Sequence, residues 1–406
     1  MALYRMCEMS LSHFILSLFS VLFVSFHGCD AIQCLNEANQ PVDWYYLYKL
    51  PMIKTSSSFL VKTGVAYAFM TSGTNEGWQM SNYGIDSKNS FPGQTLAHLY
   101  EDAANQASEP SDEMWMMYND QPPNGNVSFT KGHSKGVIAG NNDGGVWLVH
   151  SVPHFPPPPE TKTYSYPKTG MKNGQSFLCI SMNAQALDTS ALQLIFNNPL
   201  LYSQHFGEEA LTHYPQLHNV SKFEGKVKTP PYTHKVELTS KSGSSFISYA
   251  KTSKFKKDLY DDYLTEDLET ALRVETWPNG KDRLQSDCVK PFHTENIDAV
   301  KIGLDEFSSH KDHSKWAIST DDTKPWTCVG DINRAKTQFV RGGGTVCFQD
   351  PRVHASYYQV VAGVEGCSNP PNHDPEKSHK KKSKKSKIAA FFDYIRRYYK
   401  AILNEI

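Results

Sequence analysis

Two short segments carry residue types that could act together on phosphorus. They are His133-Ser134-Lys135 in "KGHSKGV" and His313-Ser314-Lys315 in "DHSKW". In an extended segment, residues i and i+2 project to the same side. Each unit would then present an imidazole and an ammonium together. Two such units face to face would supply two lysines to neutralise phosphate oxygens. One imidazole could attack phosphorus while the other protonates the departing oxygen. Water would then hydrolyse the phosphohistidine, with the second imidazole acting as base. The lysines would do the charge work that a divalent ion does elsewhere, so neither metal nor cofactor is expected. One His-x-Lys alone reads as a surface pair; its repetition is what changes the reading.

The repeat extends beyond the tripeptide. With His133 placed on His313, Lys135 meets Lys315 and His150-Ser151 falls on Gly330-Asp331 without gaps. Trp147 and Trp326 miss each other by one position. Each copy offers His-x-Lys, a turn and a tryptophan-containing strand, which is the pattern of a duplicated unit. Identity outside the motif is low, so the duplication rests on pattern.

The elements that must position these residues are mostly strands. "PVDWYYLYKLP" (Pro41–Pro51) reads as a strand ended by proline, with "VAYAFM" (Val65–Met70) as its partner. Phe91–Glu101 reads as a short helix and Glu113–Asp120 as a buried strand. Gly136–Ser151 is a hairpin around an Asn/Asp/Gly turn, and His154–Pro167 a proline-rich surface loop. Ser176–Ser181, Ala191–Phe196, His234–Ser240, Ser245–Thr252 and Leu272–Trp277 read as strands, and Asp258–Leu272 as a helix with acidic residues outside. "WAIS" and "PWTCVGDINR" follow the second His-x-Lys. Strands alternating with helices predict an α/β fold.

The chain has 406 residues, with 39% hydrophobic and 12% aromatic residues, enough for a globular core. Residues 1–31 read as a secretory signal peptide: Arg5, an apolar run from Phe14 to Phe26, then Gly28 to Ala31, with cleavage near Asp30 or Ala31. The run is short for a membrane-spanning helix, which needs about 20 residues. Six cysteines remain beyond it, an even number that suggests disulfides in an exported chain. No CxxC pair is present, which argues against a thiolate zinc site. Asn126-Val127-Ser128 and Asn219-Val220-Ser221 are glycosylation sequons.

A net charge of −1 hides a split: residues 31–372 carry 30 basic and 36 acidic residues with twelve histidines. Histidine protonation below about pH 6 would turn this body cationic, favouring an anionic polymer in an acidic compartment. The remainder, residues 373–406, is a basic tail. "EKSHKKKSKKSK" is followed by Ile388–Leu403, whose apolar spacing suits an amphipathic helix at a membrane or polyanion surface.

"PVDWYYLYKLP", "YNDQPP", "GHSKGV", "GGVWLVHSVPHFPP", "GQSFLCIS", "SKFKKDLY", "DHSKWAIS", "PWTCVGDINR" and "RGGGTVC" run in this order from Pro41 to Cys347. Together they resemble the deoxyribonuclease II family, the acid lysosomal endonucleases of the phospholipase D superfamily. The resemblance implies a phospholipase D-like pseudo-dimeric α/β sandwich. Its two related halves, 32–230 and 231–372, would each hold a central mixed sheet flanked by helices. It implies metal-independent cutting of double-stranded DNA at acid pH, leaving 3′-phosphate and 5′-hydroxyl ends, in the degradation of DNA from dying or engulfed cells.

By motif, His133, Lys135, His313 and Lys315 would be catalytic, with His313 the first choice for the essential residue. His150, Asp331 and Asn333 would support them. The family's pairing would join Cys34 to Cys179, Cys288 to Cys367 and Cys328 to Cys347. A lysosomal location would follow, with secretion as the alternative. A secreted toxin-like homologue with a targeting tail is the competing function, and superfamily membership alone also admits a lipid phosphodiesterase. Two departures stand out. The aspartate that the superfamily places seven residues after each histidine is replaced by Gly140 and Thr320, and the resemblance assigns the basic tail no role.

Overall fold

The computed structural model describes residues 31–74, 76–105, 112–222 and 227–367. The signal-peptide reading, apart from Ala31, and the tail reading lie outside the described residues.

The chain is a mixed α/β structure with two large sheets and few, short helices. A small ribbon, β1 (Cys34–Leu35) and β2 (Pro41–Val42), leads into the first sheet. That sheet contains β3 (Trp44–Lys49), β4 (Tyr67–Thr71), β5 (Gln79–Met80), β6 (Met114–Asn119), β7 (Lys135–Asn141), β8 (Gly144–His150), β9 (Gln175–Met182) and β10 (Leu201–Phe206). Its spatial order is β10-β6-β7-β8-β9-β3-β4-β5.

The second sheet contains β11 (Thr233–Thr239), β12 (Ser245–Lys251), β13 (Leu272–Glu275), β14 (Thr294–Ile302), β15 (Asp305–Ser308), β16 (Trp316–Ser319), β17 (Trp326–Gly330), β18 (Gly343–Gln349) and β19 (Val361–Val364). Its order is β11-β12-β18-β17-β16-β13-β14-β15, with β19 also pairing β14.

Five strands follow the same path in both sheets. The run β6-β7-β8-β9-β3 has the order of β13-β16-β17-β18-β12, both spatially and along the chain. The registers agree as well: Gly136 faces Val149 across β7 and β8, as Trp316 faces Val329 across β16 and β17. The edges differ. β10 runs antiparallel to β6, whereas β14 runs parallel to β13.

The central strands are buried on both faces, including β3, whose segment reads as alternating in the sequence. Every residue of β3, β6, β7, β8 and β9 is buried. One apolar cluster takes Tyr46, Met116 and Ile180 from the first sheet and Phe246, Trp316 and Val346 from the second. Cys328 and Cys347 are bonded directly opposite each other on β17 and β18. Cys34 is bonded to Cys179, and Cys288 to Cys367.

Three sequence expectations need correction. Ala191–Phe196, expected as a strand, is a helix over Ala191–Asn197 that buries Ala191, Leu194 and Asn197. A six-residue apolar run does not distinguish the two periods. The helix expected over Asp258–Leu272 shrinks to a π-turn, Tyr260–Leu264, and one α-turn, Thr265–Leu268, which Glu269 ends in a left-handed conformation. The proline-rich loop is a surface feature only in part: residues 160–163 are exposed, but Phe155 is fully buried, and its ring meets those of His150, Tyr164, Tyr166 and Phe177.

Candidate active site

Each His-x-Lys segment is the lead-in to a central strand, and each is held by the opposite sheet. The His133 N–H donates to Gly342 O just before β18, and the His313 N–H donates to Gly174 O just before β9. The Lys135 N–H reaches Asp331 Oδ2 at 3.4 Å, and the Lys315 N–H reaches Ser176 Oγ at 3.1 Å. Side chains are excluded at both crossings. A Cβ on Gly174 would run into the Asp312 carboxylate, and one on Gly342 into Asn197 O. The first sheet also grips the second motif through Tyr48. Its hydroxyl donates to Asp312, and Trp316 Nε1 donates to the Tyr48 oxygen at 3.1 Å.

Both imidazoles are buried, and both are tethered through Nδ1. His133 Nδ1 lies 2.8 Å from Gln338 Oε1. His313 Nδ1 lies 3.0 Å from Ser151 O and 3.2 Å from Gln175 Oε1, which itself accepts from Ser151 Oγ. Backbone and amide oxygens only accept, so the ring proton is placed on Nδ1. His313 Nδ1 also has Lys315 Nζ at 2.9 Å, but that ammonium has an oxygen of its own, His313 O at 2.6 Å. In both rings Nε2 is buried and has no partner among the described residues. It is a bare lone pair, the atom that can attack or take up a proton.

The electrostatics keep these rings neutral. Burial first, then the Lys135 ammonium, holds His133 well below the ordinary histidine value, with Asp120 working against them. Burial, then Lys315, Lys135 and His133, does the same to His313. Lys135 thus acts on His313 as well as on His133, and Lys315 on both rings.

Lys135 Nζ pairs with Asp120 Oδ1 at 2.5 Å, while Arg341 holds Oδ2 at 3.0 Å, all of them buried. Burial alone would raise the Asp120 carboxyl. Lys135, His133 and Arg341 together bring it below its usual range. The turn that carries Gln338 and Arg341 is braced by Lys251, whose Nζ donates to the carbonyls of both. Burial lowers Lys251 to about 8.

The supporting candidates separate. Asp331 accepts from the Lys135 and Gly344 backbone N–H groups, and burial raises its carboxyl to about 7. Asn333 lines a narrow pocket of about 50 Å³ together with His133, Asp120, Gln338 and Arg341, and its Oδ1 has no partner. His150 is different. Its Nδ1 accepts from the Val152 N–H, which leaves its proton on a partnerless Nε2. It sits beside Phe155 and Phe177 and does not line that pocket.

Sequence reasoning missed Asp120, Gln175, Gln338 and Arg341, although "YNDQPP", "GQSFLCIS" and "RGGGTVC" contain the first, second and fourth. It also missed Trp277, whose ring stands edge-on to His313 at 5.4 Å. The sequon residues Asn126 and Asn219 are exposed. Among the described residues, the three-ligand grouping that could suit a metal is Cys288, His293 and Glu295. The Cys288 sulfur is committed to Cys367, which leaves two ligands.

Two buried imidazoles with unpartnered Nε2 atoms, beside two lysines, are groups of the kind that could attack and neutralise a phosphodiester. Residues 33–367 match the family described as Deoxyribonuclease II. The chain is 36% identical to Deoxyribonuclease-2-beta of Homo sapiens, over 89% of this chain and 98% of that one. It is 35% identical to Plancitoxin-1 of Acanthaster planci, over 84% and 93%, and 33% identical to Cell-death-related nuclease 7 of Caenorhabditis elegans, over 87% and 92%. The chain belongs to the deoxyribonuclease II family and is a hydrolytic endonuclease.

Proposed function

We propose that this deoxyribonuclease cuts double-stranded DNA in acid, without a divalent metal, through a phosphohistidine on His313. The carrying observation is the pair of partnerless Nε2 atoms on His133 and His313, each ring fixed through Nδ1. His313 Nε2 attacks phosphorus and the P–O5′ bond breaks. His133, protonated once the anionic phosphodiester is bound, gives its proton to the departing 5′ oxygen. Water then attacks phosphorus, His133 takes the water's proton, and the P–N bond electrons return to His313. The products are 3′-phosphate and 5′-hydroxyl ends. Lys135 and Lys315 neutralise the non-bridging oxygens, the charge work a metal would otherwise do.

The division of roles follows from charge. Asp120 favours the protonated form of His133, whereas the side chains that shift His313 all disfavour its protonation. Depressed histidine values also suit acid operation. An imidazole at its ordinary value of about 6.5 would be mostly protonated at pH 5 and could not attack.

The shared strand path supports reading residues 32–230 and 231–372 as halves of a pseudo-dimeric sandwich with one site between them. The setting proposed is lysosomal breakdown of DNA from dying or engulfed cells, reached by the secretory route, with Asn126 and Asn219 glycosylated. The likeness to Plancitoxin-1 favours secretion as the second reading. The basic tail would then contact membranes or polyanions. No helix among the described residues is long and apolar enough to cross a membrane. The test is plasmid nicking in EDTA across pH with end-group analysis. Cutting near pH 5 with 3′-phosphate ends is expected; a strict need for added metal would refute the reading.

A further inference from the structure

Beside the narrow pocket that His133 lines lies a second, open cleft of about 860 Å³. Trp277 is common to the walls of both. The cleft is built onto the His313 motif. Lys172 and Asn173 precede Gly174, whose O accepts the His313 N–H and whose N–H donates to Lys311 O. Lys311 is itself two residues before His313.

The walls of this cleft are dominated by donors. Lys54, Lys172 and Lys311 are exposed cations along it, and among the described residues no aspartate or glutamate lines it. In a body with more acidic than basic residues, this is a local reversal of charge. Two further donors are buried in the wall without partners: Asn173 Nδ2, on a residue 2% exposed, and Trp277 Nε1, on a residue 3% exposed. Leaving a buried N–H unpaired is costly unless something arrives to accept from it. Three ammoniums and two orphaned N–H groups share one complement, an anion with several acceptor oxygens.

We infer that this cleft is a second phosphate subsite that holds the DNA backbone next to the scissile phosphate, on the His313 side of Trp277. The inference rests on the nuclease reading for its ligand. Phosphates gripped here fix the strand's register, so the scissile group is presented to His313 rather than to either lysine alone.

The experiment measures equilibrium binding of a cleavage-resistant phosphorothioate duplex at pH 5 over a range of salt. It compares the wild type with Lys54→Ala/Lys172→Ala/Lys311→Ala and with a charge-matched control at three other exposed lysines, Lys222, Lys241 and Lys257. The cleft variant should bind at least about tenfold more weakly, with the salt slope reduced by about 2 to 3. Asn173→Leu removes a neutral donor, so it should weaken binding about five- to tenfold and leave the slope unchanged.

Equal losses in the cleft and control variants would overturn the subsite, as would an unchanged duplex affinity in the cleft variant. Inorganic pyrophosphate is the second probe. Pyrophosphate binding lost in the cleft variant while duplex binding persists would mark an anion site that is not a DNA subsite, and overturn the inference. A wild type that binds duplex through the cleft but nicks no plasmid would refute the nuclease reading and leave the subsite standing.

Discussion

His133 and His313 occupy equivalent places in their sheets and keep different company. Beside His133 lies Asp120, which pairs with Lys135 and Arg341. Following the strand registers, the position of Asp120 after β6 corresponds to Trp277 after β13. There an indole edge meets the His313 ring where the other half has a carboxylate. The tethers differ too. His133 is held by a side-chain amide on a surface turn, His313 by a backbone carbonyl and a buried glutamine. Both rings are held well below the ordinary histidine value, but only His133 has a carboxylate working the other way. That difference is the ground on which different roles are proposed for the two imidazoles.

The largest expected effect tests that division. His313→Ala should lower DNA cleavage by at least about 10,000-fold, as loss of a nucleophile does. His133→Ala should cost about 100- to 10,000-fold. Plasmid nicking by fold-checked variants reads both, and equal losses would erase the distinction drawn here.

Asp120→Asn comes next. It leaves Lys135 and Arg341 buried without their counter-charge, so the protein should lose about 3 to 5 kcal/mol of stability in urea unfolding. A loss below about 1 kcal/mol would mean the first half does not depend on this carboxylate.

Asp331 sits at the junction and predicts a pH effect of moderate size. Its folded value of about 7 lies above the usual carboxylate value of 3.8, so the folded state binds the extra proton between them. Its contribution is therefore full below pH 3.8 and is lost as pH rises through 7. The buried histidines oppose this, because their depressed values remove stability as pH falls below 6.5. Asp331→Asn deletes only the first dependence. Relative to wild type, its melting temperature should rise from pH 4 to about pH 7 and level off above that; a constant offset would contradict the shift.

The smallest effect belongs to Trp277→Phe, which keeps an aromatic wall but changes its contact with His313. A two- to tenfold drop in kcat/KM on DNA is expected, the size of one aromatic pair. An effect as large as that of His133→Ala would give Trp277 a more direct part in the reaction.

How much of this was legible in the sequence differs by scale. The two His-x-Lys units and the β7–β8 hairpin could be read because their signals are local: a tripeptide, an Asn-Asp-Gly turn and two apolar runs. The correspondence of His150-Ser151 with Gly330-Asp331 was legible too, since the strand registers keep the same offset. The tethers were not. Gln338 is 205 positions from His133, and Arg341 is 221 from Asp120, so no spacing announces either contact. The Ala191–Asn197 helix was misread because only its packing, not its composition, selects the helical period.

The central claim is that His313 attacks and His133 protonates the leaving group. Bis(p-nitrophenyl) phosphate separates the two roles, because p-nitrophenolate departs without needing a proton. The measurement is the first-turnover burst of p-nitrophenolate, set beside DNA cleavage, in His133→Ala and in His313→Ala. His133→Ala should keep a burst of about one p-nitrophenolate per enzyme, while its later turnover, which needs His133 to take the water's proton, slows with DNA cleavage; His313→Ala should lose the burst and the cleavage alike. A burst that survives in His313→Ala and vanishes in His133→Ala would contradict the assignment.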